Sequence, residues 1–136
     1  MVRYDNPMVE MIHRYEGFVR IHSHGNIKGI LDYIAEMKAD AIDPIEPPPQ
    51  GDVELGYVRQ KYGNQMVLFG NLEISDIENM PSDMFREVVR SSIKAGTEGA
   101  GRGFVLMPSS SPCSRDISEP TLRNYQIIIE EIHNLS

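Results

Sequence analysis

Two imidazoles one residue apart, at the end of the apolar run Val19-Arg20-Ile21-His22-Ser23-His24, are the side chains of this chain best placed to do chemistry. Alternate residues of a strand share a face, so His22 and His24 can turn towards one ligand while Ser23 points the other way. Imidazole nitrogens bind zinc and other borderline metals, and they also move protons near neutral pH. Gly25-Asn26 follows at once and breaks the strand, which leaves the pair at a strand tip.

Elements that must position this pair follow from the punctuation of the chain. Asp5-Asn6-Pro7 reads as a helix start, with Met8, Val9, Ile12 and Tyr15 on one face and Gly17 at the end. Phe18 to His22 reads as a strand. Asn26 is suited to cap a second helix with the stripe Ile27, Ile30, Leu31 and Ile34, and Ala41-Ile42-Asp43 is a second strand. The prolines of Pro44 to Asp52 remove backbone donors and fix φ, so this segment is a stiff loop. A third helix spans about 53–62, and Met66 to Phe69 makes a third strand tipped by Gly70-Asn71-Leu72-Glu73. A fourth helix from Ser82 carries Phe85, Val88, Val89 and Ile93. The glycine-rich stretch 96–103 leads to the strand Phe104 to Met107, and a final helix from Pro120 buries Leu122, Tyr125, Ile128, Ile129 and Ile132.

Short apolar strands alternating with helices define an α/β chain whose strands are parallel and covered by crossover helices. Functional loops in such folds follow the C-terminal ends of the strands. Those ends hold His22 and His24, then Asp43 and Glu46, then Asn71, then Ser109 and Ser110. Polar groups at four successive tips point to a site along one rim. Glu46 is a plausible oxygen donor beside the histidines, Cys113 is the single cysteine, and Asn71, Ser109 and Ser110 are the candidates for contacting a small-molecule substrate.

Composition narrows the classes. With 136 residues, 40% of them hydrophobic, the chain is expected to be a single domain over residues 1–136. A formal charge of -7 argues against nucleic acid and anionic membranes as partners. One cysteine excludes an internal disulfide, no apolar run is long enough to span a bilayer, and the first residues lack the pattern of a secretory signal, so the expected location is cytoplasmic.

The succession IHSHGN, DAIDPIEPPPQGD, MVLFGNLE, GFVLMPSSSP and PTLRNYQIIIE resembles the C-terminal half of the uroporphyrinogen decarboxylase superfamily, which includes the cobalamin-dependent methyltransferases. The resemblance covers nearly the whole chain. It implies a partial (half) TIM-type β/α barrel of about four parallel strand-helix units preceded by one helix. It also implies completion of the barrel by a homodimer partner or a separate N-terminal half-barrel chain. In members resembling the methyltransferases, zinc held at this strand tip activates a thiol to accept a methyl group from a corrinoid. His22 falls on the family histidine, His24 on a family cysteine, and Ser110 on a later cysteine, with Cys113 three residues further on. The resemblance therefore implies zinc on His22 and His24 with Glu46 or Cys113, and a corrinoid methyl donor. Its alternatives are a tetrapyrrole decarboxylase-type domain, or an inactive remnant or assembly subunit. Barrel hydrolases also use a His-x-His tip, but they need further nitrogen ligands at later strands, where this chain offers Asn71 and serines.

Overall fold

Branched and aromatic side chains dominate the four short strands, and helices follow each of them, because parallel neighbours need a crossover connection. The computed structural model describes residues 2–135. Its order is α1 (Val2–Arg14), β1 (Arg20–His22), a 3-10 turn (Lys28–Ile30), α2 (Leu31–Glu36), β2 (Ala41–Asp43), α3 (Leu55–Tyr62), β3 (Val67–Leu72), α4 (Ile74–Asn79), α5 (Ser82–Thr97), β4 (Phe104–Pro108) and α6 (Glu119–His133). The strands form one parallel sheet in the order β1-β2-β3-β4. A sheet wound in one direction by crossovers of one hand places its helices on one face; helices on both faces need a reversal of strand order.

Register and packing agree with that rule. Ile21 pairs with Ile42 and Leu68 with Phe104, so these residues share one face, and all four pack in the larger apolar cluster with Leu31, Ile34 and Val58 of the helices. Leu72 and Leu106 extend the same face into a second cluster with Ile77, Phe85, Val89 and Ile127. Val67, Phe69, Val105 and Met107 occupy the alternate positions and belong to neither cluster. Arg20 and His22 continue this second face and are exposed. The sheet is thus covered by helices on one side only.

Several expected details are changed by tertiary contacts. Helix α1 starts at Val2, with Pro7 inside it; its Met8 and Ile12, and Tyr15 just after it, are exposed while Val9 is buried. Asn26 caps nothing: a 3-10 turn intervenes, and α2 begins after Ile30 with no side-chain cap. The short helix α4 is additional to the sequence expectation; four of its six residues are polar, and Ile74 and Ile77 alone turn its apolar side into the second cluster. Helix α6 is rotated from the expected face. It buries Thr121, Asn124, Ile127, Ile128 and Glu131, leaving Leu122, Ile129 and Ile132 exposed. Asn124 donates to the carbonyls of Ile77 and Met80 at 3.0 and 2.9 Å and accepts from Ser82 at 2.9 Å. Glu131 pairs with Arg86 and Arg90. These buried polar partners set the rotation, because leaving them unpaired in the interior costs more than exposing an isoleucine.

Candidate active site at the strand ends

His22 ends β1 and stands opposite Asp43, the last residue of β2. This register brings Nδ1 of His22 to 2.8 Å from Oδ2 of Asp43, which is only 1% exposed. His24 repeats the arrangement one step along, with Nδ1 at 2.8 Å from Oε1 of Glu46. The second oxygen of Glu46 accepts from the Gly25 amide at 2.6 Å. An ionised carboxylate accepts hydrogen bonds and cannot donate, so Nδ1 carries a proton in both imidazoles, and in the neutral ring the lone pair is on Nε2. The rings lie edge to face with centroids 4.7 Å apart, and their side chains are 56% and 47% exposed. Among the described residues neither Nε2 has a hydrogen-bond partner. A carboxylate on Nδ1 fixes the tautomer of the ring and raises the basicity of its other nitrogen, an arrangement also seen behind metal-binding histidines.

The loop carrying Glu46 owes its path to backbone packing. Gly51 is buried, and a Cβ there would collide with the carbonyl of Glu46 and come within 3.0 Å of the carbonyl oxygen of Gly25. At the next tip, Gly70 has φ +143° and a Cβ would sit 3.1 Å from the Ile45 amide, so only glycine fits between β3 and the proline loop. Arg20, on the bare face, lies over the Phe69 ring and has Nε 3.3 Å from Oδ1 of Asp43. The angle of that ion pair makes no hydrogen bond, and this buried oxygen has no donor.

Glu73 is a site residue that the sequence reading missed. It is 5% exposed; Oε2 accepts from the Ser109 hydroxyl at 3.1 Å, and Oε1 has no partner. Burial pushes its carboxyl above the usual range, and the Glu46 and Asp76 carboxylates act in the same direction, opposed by the Ser109 bond and by His24. The available signal was positional: Glu73 closes the tip Gly70-Asn71-Leu72-Glu73, as Glu46 lies just beyond the tip of β2.

The expected site residues separate into three groups. His22, His24 and Glu46 come together, with Glu46 using both oxygens to hold the second histidine and the turn. Ser109 is buried as a brace: its hydroxyl donates to Glu73 and accepts from the Ile74 amide at 3.2 Å. Asn71 is buried with its Oδ1 unpartnered, whereas Ser110 is exposed and donates to the Ser111 carbonyl. Cys113 is exposed in a different cleft with Asn79 and Ile117, its amide bound to Glu78 at 2.8 Å. The expected joint set of His22, His24, Glu46 and Cys113 is therefore not assembled. Among the described residues no three His, Cys, Asp or Glu side chains group as metal ligands, and the reason is that Glu46 is turned onto Nδ1 of His24 while the loop after β4 is tied to α4.

No protein-family model matches this chain, and no curated protein is significantly similar to it. Among the described residues no helix is long and apolar enough to cross a membrane.

Proposed function

We propose that the chain is half of a TIM-type β/α barrel of the uroporphyrinogen decarboxylase and cobalamin-dependent methyltransferase kind, and that a second chain completes it for zinc-assisted methyl transfer from a corrinoid to a thiol. The observation that carries this reading is the pair of carboxylate-backed histidines, both with Nε2 free, at the C-terminal ends of parallel strands. The bare sheet face supports the need for a partner. In a complete barrel that face is the packed interior, and here Val105 is exposed and Val67, Phe69 and Met107 are only half-buried, outside both apolar clusters. The terminal helices carry apolar residues to the same effect: Tyr4, Met8 and Met11 on α1, Leu122, Ile129 and Ile132 on α6 are exposed where neighbouring units of a barrel would pack.

The donor set fits zinc in its nitrogen chemistry. His22 and His24 would hold the ion through Nε2, and the remaining positions would be left to a thiol and to a donor from the completing chain. When bound, the ion would stabilise a thiolate nucleophile at neutral pH. Asp43 and Glu46 keep both Nδ1–H groups bonded, so the free lone pairs stay on Nε2. Covering the bare face would exclude water from the rim and strengthen each of these interactions. Arg20 is the group in the rim that would favour an acidic tetrapyrrole, but it is bound to Asp43, and Glu46 and Glu73 stand close by; decarboxylation of such a substrate is the second reading for that reason.

The test is metal content with mass in solution, by elemental analysis coupled to light scattering, on the wild type and on His22→Ala and His24→Ala. Stoichiometric zinc in a discrete dimer, lost in either variant, is the expected result. Unchanged zinc in His22→Ala removes the pair from the metal site and overturns the reading.

A further inference from the structure

The parallel sheet ends in two open edges, β1 and β4, each with a row of backbone groups that no strand of the sheet pairs. Helix α1 leads into the first edge and packs on α2, and α6 leaves the second and packs on α5 and α4. Both helices carry an apolar stripe that their own chain does not cover. On α1, Tyr4, Met8 and Met11, continued by Tyr15 just past its end, recur at spacings of four, three and four, and all are exposed. On α6, Leu122, Tyr125, Ile129 and Ile132 recur at three, four and three, and only Tyr125 is half-buried. Such a repeat is the seam along which one helix packs lengthwise on another. Val9 of α1 and Ile127 and Ile128 of α6 hold the helices to their own chain, so both stripes are left for another surface.

The exposed area points the same way. The chain exposes 8244 Å², about 1,000 Å² more than the roughly 7,200 Å² of a compact monomer of its mass. One side of a standard protein interface takes about 800 Å². We infer that the covering partner is a second copy of this chain, related by a two-fold axis along the strand direction. In that arrangement β4 of each copy pairs in parallel with β1 of the other, and the α1 stripe of each packs on the α6 stripe of the other. The axis keeps every strand parallel and brings their number to eight, at which a closed barrel is filled by its own side chains. An axis across the strands would instead join β1 to β1 or β4 to β4 and set each stripe against its own counterpart. Closure along the strands also covers the half-bare sheet face, where Arg20 brings its own counter-ion, with Nε 3.3 Å from Oδ1 of Asp43. One kind of chain suffices, because each copy supplies both edges and both stripes. This closure rests on the half-barrel reading above but not on zinc.

Sedimentation equilibrium of the full chain should show a dimer at micromolar concentration, with or without a chelator. Two variants test the contact: Met8→Lys with Met11→Lys on α1, and Ile129→Glu with Ile132→Glu on α6. Ile132, the least exposed of the four, is already 43% exposed in the single chain, so both variants should keep the wild-type circular dichroism. Each variant alone sets charges against apolar side chains at both contacts of its dimer, and its dissociation constant should rise at least about a hundredfold. Mixing the two should restore a one-to-one dimer, in which one contact sets lysines against glutamates and the other is wild type on both sides. A monomeric wild type, an open series of larger oligomers, an α6 variant that dimerises like the wild type, or a mixture that stays monomeric would each overturn the closure. Zinc measured on the same samples separates the two readings: a metal-free dimer supports the closure and counts against the metal site, and a zinc-bound monomer does the reverse.

Discussion

Changing Glu46 to Gln should switch the tautomer of His24 while leaving the fold in place. In the wild type, Oε2 accepts from the Gly25 amide at 2.6 Å and Oε1 accepts from Nδ1–H of His24 at 2.8 Å. A glutamine has one acceptor and one donor end. Its oxygen replaces Oε2 at the Gly25 amide, and its NH2 then faces Nδ1, which must become the acceptor. The imidazole proton moves to Nε2 and occupies the lone pair that would hold a metal. Loss of a carboxylate that holds the far nitrogen of a metal-binding histidine typically lowers metal affinity by about 10–100-fold. Stability should fall by only about 1 kcal/mol, since two neutral hydrogen bonds replace two charge-assisted ones. Glu46→Ala should behave differently. It leaves the Gly25 amide unpaired, a loss of about 1.5–3 kcal/mol for a bond to a charged acceptor, plus at most about 1 kcal/mol for the bond to the half-exposed His24. The assays are urea unfolding, zinc titration, and nitrogen chemical shifts of His24, which distinguish the tautomers. Wild-type zinc affinity together with an unchanged Nδ1–H signal in Glu46→Gln would refute the reasoning.

Gly51→Ala should destabilise the protein by about 1–3 kcal/mol, as overpacking does, because the new Cβ meets the backbone of Glu46 rather than a yielding side chain; Gly29→Ala, with open space around it, is the neutral control in the same denaturation series. The clamp between α5 and α6 should make stability fall in acid. Bonding to Arg90 and Arg86 holds the Glu131 carboxyl below its usual range, and bonding to Arg123 and Arg86 does the same for Glu130. Depressed folded values mean that this contribution is present above the ordinary carboxylate range and lost as pH falls through it to the folded values. Melting of the double variant Glu130→Gln with Glu131→Gln should therefore depend less on pH in that window, and an unchanged acid slope would remove the clamp as the cause. Glu73→Gln should stabilise the protein near neutral pH. Its raised folded value means that stability is lost as the wild-type carboxyl ionises with rising pH, so the gain should vanish in acid, as chemical denaturation at two pH values would reveal.

The alternation of apolar runs with proline and glycine punctuation was enough to locate all four strands and the polar tips, because backbone period and turn chemistry are local properties. It was also enough to single out His22 and His24, whose one-residue spacing at a strand end places them on one side of the chain. What local pattern could not contain was the partner of each group. Asp43 faces His22 only because β1 and β2 pair in one particular register. Glu46 faces His24 rather than a ligand because Gly51 lets the proline loop fold back onto it, and Cys113 is held aside by Glu78 of another helix. The rotation of α6 followed the same rule, since Asn124 and Glu131 were drawn inward by carbonyls and arginines distant in sequence. The sequence by itself determined which segments form elements and where chemistry-bearing tips fall. Tertiary structure alone decided protonation, orientation and convergence, because these depend on hydrogen-bond partners and burial that only long-range packing supplies.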